Sequence, residues 1–268
     1  MHVVGMKFIG KLLVAAVVIG GACTWVMYNG HWNAVISFTS AVFGQDAADG
    51  VDGFGNLSKD VGDDVIDYGS KLAEQIKNGE TPTPNWASVG EALKGLPAVT
   101  GERRPNYQRE AFGNGWLDTD GNGCDTRNDI LARDLTDTKV DTDSCTVLSG
   151  TLADPYTAST IQFTRGAATS SKVQIDHIVP LALAWGEGAW KWTSAQREQF
   201  ANDPMNLLAV DGPTNSAKSD KPISTWLPPS KTYHCTYVAL YVAVHDKYKL
   251  AMSSSDSAAA AKLVSACG

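Results

Sequence analysis

The chain has 268 residues, enough to bury a sizeable core, and a hydrophobic content of 43% with eight tryptophans excludes a disordered or fibrous polypeptide. A net charge of −7 excludes a surface that attracts nucleic acid everywhere. The acid is unevenly placed: residues 45–80 hold nine Asp/Glu against three Lys, whereas from Pro97 onward sixteen basic residues nearly balance nineteen acidic ones, leaving room for a local basic groove.

Lys7 and Lys11 precede an apolar run from Leu12 to Met27, and no formally charged residue follows until Asp46. A basic flank before such a run predicts an export signal or a retained single-span transmembrane anchor over residues 1–44, the only expected contact with a membrane. Residues 45–96 are rich in Asp and Gly and are interrupted by Thr81-Pro82-Thr83-Pro84. They read as an acidic spacer with a short helical pattern near Val61–Ile76. A soluble domain is expected over residues 97–268, outside the cell, either secreted or anchored. Cys124, Cys145, Cys235 and Cys267 lack the CxxC spacing of a zinc site and read as two disulfides, an oxidising-compartment signature. More than one pairing is open; Cys124–Cys145 and Cys235–Cys267 are favoured because each closes a loop within one local segment.

Within the domain, residues 129–135 predict a short helix, residues 145–152 a strand and turn, and residues 161–163 a further strand. Val173–Ile178 is apolar and β-branched, so it predicts a strand that Pro180 stops. Thr193 with Gln196 three residues on predicts a capped helix to about Ala201. Residues 206–210 predict a second strand, and residues 215–221 the start of a short helix. Tyr237, Leu240, Tyr241, Val244 and His245 recur at helical spacing, and residues 256–266 predict a last helix. The fold class is α+β, with strand, strand and helix around one site.

That site is Asp176-His177-Ile178-Val179-Pro180, then Asn206, Asn215 and Lys218-Ser219-Asp220. Phosphodiester hydrolysis needs an activated water and charge stabilisation on the phosphate, which one divalent cation can supply. Magnesium or manganese prefers oxygen donors, and Asp176 and Asn215 offer a carboxylate and an amide carbonyl. His177 has the ordinary pKa of a base that is neutral near pH 7. Neighbouring strand residues point to opposite faces, so Asp176 and His177 share a site only where the strand ends or bends.

The constellation resembles the HNH (ββα-metal) nucleases, and its second half is similar to the HNH domain of RNA-guided DNA nucleases. The resemblance implies Asp176 and Asn215 as metal ligands, His177 as general base, and a loop-bracing role for Asn206. A closer resemblance runs from about Leu96 to Cys267. It is carried by Arg109 and Phe112, by Gly115-Trp116-Leu117-Asp118, by Cys124-Asp125-Thr126-Arg127-Asn128, and by Asn202-Asp203-Pro204-Met205-Asn206-Leu207-Leu208. These look like the exported HNH nuclease family of actinobacteria and their phages, similar to the C-terminal nuclease part of Gmr-type modification-dependent restriction enzymes. The half that senses DNA modification has no counterpart here. The implied substrate is nucleic acid, DNA favoured and RNA an alternative, cut with little sequence preference; no protein partner is implied.

Arg127 and Lys218 are candidates to hold phosphate, against a surface ion pair and a solvated helix lysine respectively. Asp118, Asp120, Asn122 and Asp129 match much of a calcium-binding loop, although Glu is expected where Asp129 stands. A calcium-stabilised, non-catalytic cell-surface or DNA-binding module is therefore the rival reading. Trp185, Trp190 and Trp192 read as core rather than as a stacking platform for bases.

Overall fold

The computed structural model describes residues 84–142 and 144–268, together with the backbone of β1 (Val14–Ile19) and β2 (Ala22–Met27). The chain divides into two units, residues 1–59 and 60–268. In the first, β1 and β2 pair antiparallel from Val14↔Met27 to Ile19↔Ala22. The apolar run expected to be a membrane-crossing segment is thus drawn as two six-residue strands. Among the described residues no helix is long and apolar enough to cross a membrane. The transmembrane-anchor expectation is corrected on those grounds. The remainder of 1–44, and the helical pattern near residues 61–76, lie outside the described residues.

The second unit is α+β. Helix α1 (Trp86–Gly95) opens on Asn85, whose side chain caps Ser88 N–H, and buries Val89, Ala92 and Leu93. It packs against the two C-terminal helices, α6 (His234–Tyr248) and α7 (Ser254–Cys267). The spacer expected over 45–96 therefore contributes its last turns to the core, because these residues present an apolar stripe at helical spacing. After a 3-10 turn (Arg109–Phe112), α2 (Thr126–Asp134) leads into an antiparallel sheet of β3 (Leu135–Val140), β4 (Val147–Ala153) and β5 (Thr160–Thr164). The two disulfides, Cys124–Cys145 and Cys235–Cys267, follow the favoured pairing.

A two-stranded ribbon occupies the centre. Strand β6 (Val173–His177) pairs antiparallel with β7 (Leu207–Asp211), with Val173 opposite Asp211 and His177 opposite Leu207. Between them run α3 (Leu181–Glu187) and α4 (Ser194–Ala201), the latter opened by the Thr193–Gln196 capping box. Helix α5 (Gly212–Lys218) follows β7 at once, with Asp211 capping Thr214 N–H and Pro213 in its first turn, where a missing N–H is harmless.

The ribbon is buried on both faces. Val173, Ile175, Leu207 and Ala209 join a small core with Ile130, Leu131, Val147 and Phe163. Leu208 and Val210 join the larger helical core of α1, α3, α4, α6 and α7. This split follows from the two-residue period of a strand, and it decides where each polar residue of β6 emerges.

Candidate functional site

Alternation puts Gln174 and Asp176 on the α5 side of β6 and leaves His177 on the side of α2 and the smaller core. The geometry agrees. The His177 ring lies parallel to Trp116, at an interplanar angle of 10° and 6.0 Å between centroids, and Trp116 packs on the smaller core. Asp176 instead meets Lys218 at the end of α5. The strand end does not bring the two side chains to one point, as the sequence reading required.

The imidazole is held by its far nitrogen: His177 Nε2 lies 2.8 Å from the carbonyl oxygen of Ala201, the last residue of α4. A carbonyl only accepts, so Nε2 carries the proton and Nδ1 keeps a lone pair. Burial lowers the ring's pKa to about 3, with the Arg109 and Lys218 charges adding to that effect and the Ala201 bond opposing it. The ring is half-buried and neutral at every physiological pH. The tautomer is defined, but burial holds the ring well below the ordinary histidine pKa that the sequence led one to expect, which weakens it as a proton acceptor at neutral pH.

Asp176 has a different setting. It is only 6% exposed and accepts from Lys218 Nζ at 2.8 Å on Oδ1 and 2.7 Å on Oδ2. Tyr156, fully buried, donates its hydroxyl to Oδ2 at 2.5 Å. Burial raises the Asp176 carboxyl and lowers the Lys218 ammonium, and the attraction between them opposes both shifts. Lys218 is 0% exposed and also donates to the carbonyl oxygen of His177 at 2.7 Å. The placement departs from both expected roles: Lys218 is sealed from solvent, and both Asp176 oxygens already accept hydrogen bonds.

Asn215, on α5, is half-buried and donates through Nδ2 to Gln174 Oε1 at 3.0 Å. Its side-chain oxygen, Oδ1, accepts no hydrogen bond among the described residues, while its backbone carbonyl takes Ser219 N–H at 3.0 Å. Asn206 is fully buried just before β7 and clamps the turn after β6. It accepts from Val179 N–H at 2.8 Å, donates to Val179 O at 3.2 Å, and takes Ile178 N–H on its own carbonyl at 2.8 Å. Arg127 is half-buried on α2 and makes one long bond, 3.4 Å, to Val173 O. It forms no ion pair with Asp125 or Asp129; burial and then nearby Arg165 lower its pKa.

The expected calcium loop folds on itself. Asp118 accepts the backbone N–H groups of Gly121, Asn122 and Gly123, with Gly121 and Gly123 at positive φ, 75° and 91°. Asp120 accepts from Asn122, whose amide also bonds Asp129. These bonds hold the loop in a tight turn. Among the described residues no group of three or more His, Cys, Asp or Glu is placed to hold a metal ion. The loop is an Asp/Gly turn next to the Cys124–Cys145 disulfide.

Tyr156 and the Ala201 carbonyl are parts of this arrangement that residue patterns do not single out. Trp116 and Arg109 do stand in the stretches that carry the family resemblance. A cavity of about 290 Å³ opens elsewhere, lined in part by Arg104, Glu187, Trp190, Lys191 and Trp192. It excludes His177, Asp176 and Asn215, and its Lys191 is paired with Glu102 at 2.5 Å.

A strand, a second strand and a short helix follow one another here, with His177 at the end of the first strand. Residues 125–263 match the C-terminal domain of GmrSD restriction endonucleases, and the chain belongs to that family, which implies a nuclease-type function. It is also similar to an uncharacterised secreted protein of Arthroderma benhamiae, 36% identical over 186 residues that cover 69% of this chain and 87% of the relative. No solved structure matches the chain. The two disulfides and the secreted relative support export.

Proposed function

We propose that the chain is an exported endonuclease that hydrolyses phosphodiester bonds of nucleic acid, DNA in preference to RNA, with His177 as general base. The observation that carries this reading is the imidazole itself: Nε2 is tied to Ala201 O, so Nδ1 is the free basic atom, and burial keeps it unprotonated. Nδ1 takes a proton from water as the oxygen attacks phosphorus, and the P–O bond to the departing nucleotide oxygen breaks. Arg109, the cation whose charge acts most on the His177 ring, is available to the phosphate at this base, while Arg127 lies at the Val173 end of β6, where a neighbouring phosphate of the substrate backbone would pass. The order β6, β7, α5, with α5 packed on both strands, supports the ββα reading of this core.

A divalent cation, magnesium or manganese, is the cofactor expected of the class. The residues expected to hold it do not fit in this arrangement: Lys218 and Tyr156 occupy the Asp176 oxygens, and Asn215 alone is one neutral donor. No step is routed through a metal here.

The test is the full-length protein incubated with plasmid DNA and with single-stranded RNA, across magnesium, manganese, calcium, zinc and EDTA. Cleavage by the wild type and its loss in His177→Ala are expected. Wild-type rates in His177→Ala would remove the base assignment. Arg127→Gln is expected to raise KM by about tenfold with little change in kcat, as loss of one phosphate contact does.

A further inference from the structure

Lys218 closes α5, and Ser219 after it turns away in the left-handed region at φ 53°. Its ammonium has three hydrogens and three acceptors: both Asp176 oxygens and the His177 carbonyl, all within 2.7–2.8 Å. The Trp226 ring lies 5.9 Å from Nζ, and no part of the side chain meets solvent. A cation approaching Asp176 would have to expel this lysine and the end of α5 with it. The three bonds also join the end of α5 to the last residue of β6, whose ring must reach Ala201.

We propose that Lys218 is a positioning residue for the base, its ammonium taking at Asp176 the place that the family resemblance gives to a divalent ion. By gripping the His177 carbonyl it fixes the backbone from which the imidazole is aimed at Ala201 O and at the attacking water. This rests on the reading of His177 as general base and replaces one part of it, the ligand role of Asp176. Asp176 is then the counter-ion that keeps Lys218 charged and in place, with Tyr156 holding its second oxygen.

The experiment uses the full-length chain, a labelled DNA duplex and a manganese titration, with near-UV circular dichroism to follow the fold. Lys218→Met is expected to lower kcat by about 100-fold or more, the scale of a misplaced general base, with KM and the manganese midpoint moving less than about threefold. Ethylamine added to Lys218→Ala is expected to recover at least about tenfold of the lost rate, since the buried site is then vacant and lined by the same acceptors. Ring ¹⁵N shifts should report the Nε2–H tautomer of His177 in the wild type and a mixture in Lys218→Met.

The opposite pattern overturns the proposal. An Asp176→Asn midpoint raised about tenfold or more, beside a wild-type kcat for Lys218→Met at saturating manganese, would make Asp176 a ligand and Lys218 its competitor. If either single variant fails to fold, the neutral pair Asp176→Asn/Lys218→Met replaces it. That double variant is expected to fold, to cleave as slowly as Lys218→Met, and to lose the single tautomer. A wild type that cleaves nothing in any metal removes the nuclease reading, and the tautomer alone then decides: unchanged in the double variant, it sinks the positioning role.

Discussion

The two faces of β6 carry opposite kinds of polar chemistry one residue apart. On the α5 side Asp176 lies in a sealed ion pair, every hydrogen and oxygen of which has a partner. On the other side His177 has one nitrogen bonded, one free, and a ring that is half-buried beside Trp116. A strand exposes successive residues to different surroundings, so adjacency in sequence gave these two side chains different tasks. One face holds geometry; the other keeps a reactive lone pair.

The largest effects should fall on opposite readouts for the two faces. His177→Ala is expected to lower cleavage of a duplex by about 1000-fold, within the range for loss of a general base, while the denaturation midpoint barely moves. Asp176→Asn should do the reverse first: leaving Lys218 buried without its counter-ion costs about 3–5 kcal/mol, measurable by urea unfolding. The Asp176→Asn/Lys218→Met pair should recover much of that loss. Equal stability of the single and double variants would break the contrast between the faces.

Asn206→Ala tests the turn that both faces share. It strips partners from the N–H and C=O of Val179 and is expected to cost about 1–3 kcal/mol for each group left unsatisfied. The smallest signal is in pH. Because burial depresses His177 in the fold to about 3, the unfolded chain binds more protons there between pH 6.5 and 3. The ring's contribution is therefore present above about pH 6.5 and is lost as pH falls toward 3. Calorimetric midpoints of His177→Asn should show a shallower acid slope than those of the wild type.

Much of the framework could be read in the residues. The β-branched run before Pro180 is β6, the Thr193–Gln196 box opens α4, and the helical spacing from Tyr237 to His245 lies in α6. Local pattern sufficed because each of these elements is bounded by its own stop or cap. Helix α1 escaped notice because its acidic, Gly-rich neighbours dominated the composition of residues 45–96, although Val89, Ala92 and Leu93 already spaced an apolar stripe. The candidate base could be named from the residues; its surroundings could not. A lysine near a helix end looks solvated in sequence, and only the packing of Tyr156, Trp226 and Asp176 around it shows that Lys218 is interior.

The Ala201 carbonyl that fixes the imidazole belongs to the excursion between the two ribbon strands. β6 and β7 pair only after residues 178–206 have folded back, a closure of high contact order that is slow to nucleate. No fragment ending before α4 can carry the locked tautomer, so the histidine is set only once the chain has reached and folded Ala201.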